Sequence, residues 1–396
     1  MSYAMSRTMR RHLARWALAS VLAGSVQLGL PVSARAADAA LSGAAREAYD
    51  AGAKAFAAGD LAGAGQQYGK SLEATKSPQA YWALGLVQEH QAKKAEAQAS
   101  YRQALALAPN HEQSIVALAL SQATQGQTDA ALSFLRDKQT KLPASAAVLA
   151  VMAEVKSLAG DSGEAQRLAQ EALKKDPNCK PAMVTLARDH YRARRIDLAL
   201  YALQGILEGY GPENPPRDKA NAEARLLRGL IYAERGLRGP AVDDLTKAAK
   251  ARPDLVEAHL VLARFMLEAG NAKDATPHLQ MAVRFDAKNV PAHLMLGDAY
   301  RLLDKGAEAL KELEWVLKTD PNQIGARYNL GLVYLMSSKL PGLTEIQAAN
   351  KAIEQLQAYK AKAPRGGPDD VDELIVRAQS KKALLEAAEA EKKAKK

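Results

Sequence analysis

Cysteine is almost missing from this 396-residue chain, with Cys179 as its single thiol. One thiol excludes an intramolecular disulfide framework, a zinc site of four cysteines and a CxxC redox pair. What remains is a bridge to a second chain, which an exposed Cys179 would be able to form in an oxidising compartment. Aromatic residues are scarce too, 5% of the chain with four Phe and three Trp, which is lean for conventional cores at this length. Alanine is abundant instead, and small side chains suit closely stacked helices. The usual catalytic signatures are also absent. His111-Glu112 is followed by Gln113-Ser114-Ile115, so the second histidine of a zinc HExxH is missing, and no GxSxG, P-loop or GxGxxG occurs. Cys179 follows Asn178 with no neighbouring histidine to activate it. These absences speak against catalysis, and no catalytic residue, cofactor or metal is expected.

The formal charge of +10 is unevenly spread. Arg7, Arg10, Arg11, Arg15 and Arg35 supply half of it with no acid before residue 37, and Lys392, Lys393, Lys395 and Lys396 supply four more at the other end. The body between is nearly neutral. A nucleic-acid binder carries its basic residues as a patch on the folded part, so no nucleic-acid partner is expected.

Residues 1–36 have the three-part order of a secretory signal: a basic stretch from Met1 to Arg15, an uncharged apolar stretch from Trp16 to Leu30, and Ala34-Arg35-Ala36 in A-x-A spacing. Cleavage after Ala36 is expected. The apolar stretch is shorter than the roughly 20 residues a spanning helix needs. Arg10-Arg11 distantly resembles a twin-arginine signal, with the general secretory route as the default.

The remainder repeats. Pro109, Pro143 and Pro177 are 34 residues apart, and Pro253 and Pro321 are separated by 68, twice that period. The phase slips once, at the turn-rich run Gly209-Tyr210-Gly211-Pro212-Glu213-Asn214-Pro215-Pro216. A period of 34 residues with a recurring signature resembles the tetratricopeptide repeat (TPR) family. In the clearest unit, Tyr81, Leu84-Gly85, Ala97, Tyr101, Ala104 and Pro109 fall where that family has its W, L-G, A, F, A and P; a later unit places His293, Leu296-Gly297, Tyr300, Ala309, Leu313 and Pro321 there. Units begin near Ala45, Pro78, Glu112, Ala146, Lys180, Ala222, Val256, Val290 and Ile324. Gly126, Gly160, Gly236 and Gly270 stand at the turn between the two helices, as a left-handed C-cap requires. Large residues at positions 4, 11 and 24 are expected to fill the space between neighbouring repeats. His259 and His293 share position 4 and read as packing residues.

The resemblance implies an all-α, right-handed superhelical solenoid of about nine helix-turn-helix repeats. Repeats 1–5 span 45–211 and repeats 6–9 span 222–364, with a Pro-rich insertion or hinge at 212–221. A nine-residue insertion from Lys339 to Gln347 interrupts the ninth repeat. A capping helix at 369–391 and a basic tail at 392–396 follow. Positions 2, 5, 9, 12 and 13 of each repeat line the groove of such arrays. Here they include Trp82, Leu86, Arg188, Tyr191, Arg192, Arg264, Asp298, Arg301 and Tyr328, the expected partner-binding residues. Alternatively, Arg188, Arg264 and Arg301 are satisfied by Asp189, Glu268 and Asp298, and Trp82 packs between repeats. The carboxylate clamp that holds cytosolic chaperone tails is not matched, since Trp82 and Leu86 stand at its Lys and Asn positions.

A non-enzymatic, exported scaffold in the periplasm, free or associated with the outer membrane, is therefore the expectation, with protein partners in a cell-envelope machine for assembly, secretion, polysaccharide export or motility. The chain loosely resembles tetratricopeptide repeat proteins of such machines, including that of myxobacterial gliding motility. A periplasmic chaperone or adaptor for exported clients is one alternative. An envelope tether is another, in which Lys392, Lys393, Lys395 and Lys396 touch anionic membrane or peptidoglycan.

Overall fold

Residues 41–142, 145–337, 340–362 and 370–394 are described by the computed structural model. The signal-like residues 1–36, Pro143, Lys339, the run from Pro364 to Pro368, Lys395 and Lys396 lie outside the described residues. Every regular element among the described residues is helical. Nine helix pairs follow one another: α1 (Gly43–Ala57) with α2 (Leu61–Ala74), α3 (Pro78–His90) with α4 (Lys94–Leu107), α5 (Glu112–Thr124) with α6 (Thr128–Lys141), α7 (Ala146–Leu158) with α8 (Ser162–Lys175), and α9 (Lys180–Arg192) with α10 (Ile196–Leu207). After the insertion come α11 (Ala222–Glu234) with α12 (Arg238–Ala251), α13 (Val256–Glu268) with α14 (Ala272–Phe285), α15 (Val290–Leu302) with α16 (Gly306–Thr319), and α17 (Ile324–Met336) with α18 (Glu345–Lys362). A last helix, α19 (Val371–Ala394), follows the ninth pair. None of these helices is long and apolar enough to cross a membrane.

Local chemistry explains where the helices start and turn. Asp60, Ser77, Ser145, Asp161, Asn221 and Asn289 are N-caps whose side chains accept from the backbone N–H three residues on. The turn inside each of the first eight pairs has one left-handed residue at position 15. Gly59, Gly126, Gly160, Gly236 and Gly270 supply it, with φ between 73° and 82°. Ala92, Arg194 and Asp304 adopt it without being glycine, with φ of 55–59°, at a cost of about 1–2 kcal/mol each.

Five of the pairs, those with Gly52, Gly85, Gly229, Gly297 and Gly331 at position 8, close by the same device. The helices cross where position 8 of the first helix meets position 24 of the second. A Cβ at Gly85 would stand 2.3 Å from Tyr101 Cε1, at Gly229 2.7 Å from Leu245 Cγ, and at Gly297 2.6 Å from Leu313 Cγ. Position 24 therefore does more than fill the space between neighbours: it presses on the glycine of its own repeat. Alanines such as Ala97, Ala165, Ala199 and Ala309, all fully buried, keep the second helix close along the same seam.

By contact density the chain divides into two compact units. The first holds the described residues up to Ala258 with Arg284–Asp286; the second holds His259–Val283 and the described residues from Ala287 on. The division falls within α13, and the 212–221 insertion lies wholly inside the first unit. The insertion is pinned rather than loose. Tyr210 N donates to Asn214 O (2.8 Å), Asp218 N to Ile206 O (2.8 Å), and Arg217 Nη1 to Asn178 Oδ1 (3.1 Å). In the second unit, Val371, Leu374, Ile375 and Ala378 of α19 are buried in the core that α17 and α18 build. Lys381 Nζ donates to Leu335 O at 2.9 Å, satisfying a carbonyl near the end of α17. Beyond that point α19 is solvated, with Leu384 72% exposed. The cap is thus the first half of the helix only.

Candidate partner-binding site

The residues expected to line an open groove are largely engaged within the chain. Arg188 and Arg192 stand at positions 9 and 13 of the fifth repeat, one helical turn apart on α9, and both reach Glu154 on the preceding first helix, α7. Arg188 Nη1 lies 2.9 Å and Arg192 Nη2 3.6 Å from Glu154 Oε1, and Glu154 is 0% exposed. Arg188 also pairs forward with Glu223 of α11 at 3.7 Å, and Arg192 Nη1 donates to Ser157 Oγ at 2.6 Å. From Glu223 the chain of charges continues to Arg252 (3.5 Å), which grips Asp254 through Nε at 2.7 Å; His90 Nε2 lies 3.7 Å from Asp254.

The electrostatics follow from desolvation and pairing. Burial works against the Asp254 carboxylate, but Arg252 and then His90 outweigh it and hold Asp254 far below the usual carboxylate range. Glu257, on the same face, has no such grip. Burial pushes its carboxyl up, Asp286 and Asp254 push it further, and Arg188 compensates only in part. Three arginines, Arg188, Arg192 and Arg252, are thus set against the carboxylates of Glu154, Glu223 and Asp254 on one buried face.

Arg188 is paired within the chain, but with Glu154 and Glu223 and not with Asp189. Asp189 points into the other seam of the repeat and accepts from Ser162 Oγ (2.7 Å), Gln166 Nε2 (2.7 Å) and Ser157 Oγ (3.3 Å). Tyr191 is a correction as well. It is buried between the fifth and sixth repeats, with its hydroxyl donating to Glu234 at 2.9 Å. Trp82 and Leu86 are half-buried, and Trp82 packs against the cores on both sides of α3.

In the second unit, Arg301 donates to Asp298 at 2.7 Å, as the alternative expected. Arg264 lies with its guanidinium 5.1 Å from the centroid of the Phe265 ring. Tyr328 is taken by the cap: its hydroxyl donates to Asp370 at 2.9 Å, and its ring packs against Tyr359. His259 and His293 are buried packing residues, each facing the residue 19 positions on. His259 Nδ1 lies 2.9 Å from His278 Nδ1; His293 Nδ1 meets Glu312 Oε2 at 2.5 Å while the ring stacks on Trp315. Among the described residues no group of three or more His, Cys, Asp or Glu is placed to hold a metal ion. Cys179 is also corrected: it is 5% exposed, in the core under α8 and α9, and burial raises its thiol pKa. It is placed to pack, not to bridge chains.

Sequence reasoning missed Glu154, Glu223, Arg252 and Asp254. A signal existed for two of them, since Glu154 is position 9 of the fourth repeat and Glu223 position 2 of the sixth. It missed the outer face of α10 altogether. That helix carries one charged residue, Asp197, whereas α8 carries Glu164, Arg167, Glu171, Lys174 and Lys175. Leu198 is 50% and Tyr201 62% exposed on α10. Tyr210 from the insertion stacks on Tyr201, with centroids 4.6 Å apart, and its hydroxyl bonds to Tyr201 O. The signal was the apolar run Ile196 to Leu207 itself, too uniform for a helix with one solvent face.

The tetratricopeptide repeat profile matches residues 78–111, the pair α3–α4. Among solved structures, YrrB, described as a TPR protein with an unusual peptide-binding site, is 21% identical with a TM-score of 0.43, covering 54% of this chain and 97% of its own. The APC/C hetero-tetramer Cut9–Hcn1 is 16% identical with a TM-score of 0.48, covering 94% of this chain and 82% of its own. No curated protein matches the sequence significantly.

Proposed function

We propose that this chain, an array of tetratricopeptide repeats, is a non-enzymatic interaction scaffold of the cell envelope that engages protein partners through the outer face of its fifth repeat. The repeat fold supports the scaffold reading: nineteen helices are spent on stacked pairs and their cap among the described residues. The single observation that carries the choice of surface is the Leu198, Tyr201 and Tyr210 cluster. A contiguous exposed apolar surface is costly unless something covers it, and tyrosines are favoured at the centre of interfaces. The charged first-helix residues Glu154, Arg188 and Arg192, by contrast, are already drawn into ion pairs within the chain. Export rests on the signal order of residues 1–36 and on nothing else.

Photo-crosslinking amino acids placed at Leu198 and at Leu86 in cells test both sides of the repeats. Stoichiometric recovery of a few envelope proteins through Leu198, lost in Tyr201→Ser, supports the reading. Recovery through Leu86 alone returns the partner to the first-helix side. A broad spread of exported clients favours the chaperone alternative. Mass spectrometry of the mature N-terminus tests export, and a cytoplasmic protein that keeps residues 1–36 overturns it.

A further inference from the structure

In a stacked array each repeat touches only its neighbours. Among the described residues, the first unit departs from that rule around Phe285. Phe56, from the first repeat, and His90, from the second, pack against Phe285, the last residue of α14 in the seventh. The three rings form a closed set, with centroids 5.3 Å apart for Phe56–Phe285, 5.2 Å for His90–Phe285 and 5.5 Å for Phe56–His90, in tilted or edge-on geometry. Phe285 is 1% exposed. His90 Nδ1 lies 3.2 Å from the Phe285 carbonyl, an acceptor only, so that nitrogen donates. Arg284 Nη1 donates to Ala58 O, just past the end of α1, at 2.8 Å, and its stem lies over Gly59, where a Cβ would stand 2.9 Å from Arg284 Cδ. His90 Nε2 completes the contact 3.7 Å from Asp254.

We propose that Phe56, His90, Asp254, Arg284 and Phe285 form a latch that shuts the first-helix face of the first unit, and that releasing it opens that face to solvent and to partners without unfolding any repeat. Three observations support this. The latch joins repeats far apart in sequence, so its contacts are separate from the nearest-neighbour packing that holds each helix pair. It consists of five side chains, against a continuous seam at each repeat junction. And the charges behind it have a stake in opening. Glu154, Arg188, Glu223, Arg252 and Glu257 stand on or beside first helices, the side that an open array presents to water, yet they are desolvated. Hydration of these groups drives opening, while aromatic packing around Phe285 opposes it. Two opposed terms of this kind make a closure that can be tipped by local changes.

The test uses the purified full chain without a partner, so its outcome is independent of the functional proposal. Spin labels at Lys54 and Ala251, both exposed and both in the first unit, report the separation across the latch in a Cys179→Ala background. The parent chain is expected to give one narrow distance. Phe285→Ala and Phe56→Ala are expected to add a population longer by at least a helix diameter, about 10 Å, with far-UV circular dichroism unchanged. A broad distribution in the parent chain overturns the proposal because the closed form is then not the resting one. A narrow, unshifted distance in both variants overturns it because these rings then hold nothing. Should Phe285→Ala lose helix content, Arg284→Ala decides by the same criterion, since that side chain is exposed and its loss removes the Ala58 bond and the packing over Gly59 but nothing within a helix pair.

Discussion

Replacing Gly85 with alanine isolates the contact that closes the second repeat and recurs at Gly52, Gly229, Gly297 and Gly331. Two effects oppose each other. In a helix interior alanine is favoured over glycine by about 1 kcal/mol. At Gly85, however, the added methyl would stand 2.3, 2.7 and 2.9 Å from Cε1, Cδ1 and Cζ of Tyr101. A normal carbon contact is near 3.5–4.0 Å, so the ring must retreat by about an ångström or the helices must spread. Tyr101 is 1% exposed and wedged against Leu118 of the next repeat, so it has nowhere to go. Overpacking of a tight core costs about 1–3 kcal/mol, and a rigid buried ring belongs at the upper end. The net expectation is a loss of about 1–2 kcal/mol. Gly69 in α2 is the control, because nothing lies within 4 Å of its added Cβ. Gly69→Ala is expected to gain about 1 kcal/mol. Urea unfolding followed by circular dichroism, with hydrogen exchange resolved over α3 and α4, separates the two; exchange matters because repeat arrays need not unfold in one step. Equal stability of the two variants would refute the claim that position 8 is small for steric reasons.

Glu257 and Asp254 make opposite pH predictions. Burial raises the folded pKa of Glu257 above its ordinary value, so its contribution is fully present below about pH 4.3 and is lost as pH rises through the folded value. Glu257→Gln should therefore stabilise relative to the parent increasingly from pH 4 to 7, read as a growing gap in urea midpoints. Asp254 is depressed despite its burial, chiefly by Arg252, so its contribution is present above about pH 3.9 and falls away in more acid solution. Asp254→Asn should flatten that acid limb. Glu154→Gln leaves Arg188 and Arg192 sharing a neutral partner in a buried site, and is expected to cost about 3–5 kcal/mol in the same assay; a loss under about 1 kcal/mol would mean the pairs behave as surface ones. Cys179 should stay unmodified by thiol reagents until the chain unfolds, and a non-reducing gel should show monomer; a reducible dimer under native conditions would contradict its burial.

The repeat itself was legible without coordinates. Prolines 34 residues apart, glycine at the turn and small residues at positions 8 and 20 are local requirements of a helix pair, and each repeat must meet them alone. The nine pairs, the turn glycines and the packing histidines follow from that. Even the exceptions obey the frame, since Ala92, Arg194 and Asp304 adopt the left-handed turn because the packing of the pair around them imposes it.

What the sequence could not set was which side chains face which across repeats. Arg188 and Asp189 are adjacent in the chain, and a local rule pairs them. Helix geometry sends them about 100° apart, one to Glu154 and Glu223, the other into Ser157, Ser162 and Gln166. Nor does anything near Phe56 or His90 announce Phe285, more than 190 residues away. Periodicity is a property of one repeat and its neighbours and can be read along the chain. Pairing of charges across repeats, the bare outer face of α10 and the closure at Phe285 depend on small rotations added repeat by repeat, and only the tertiary structure carries that sum.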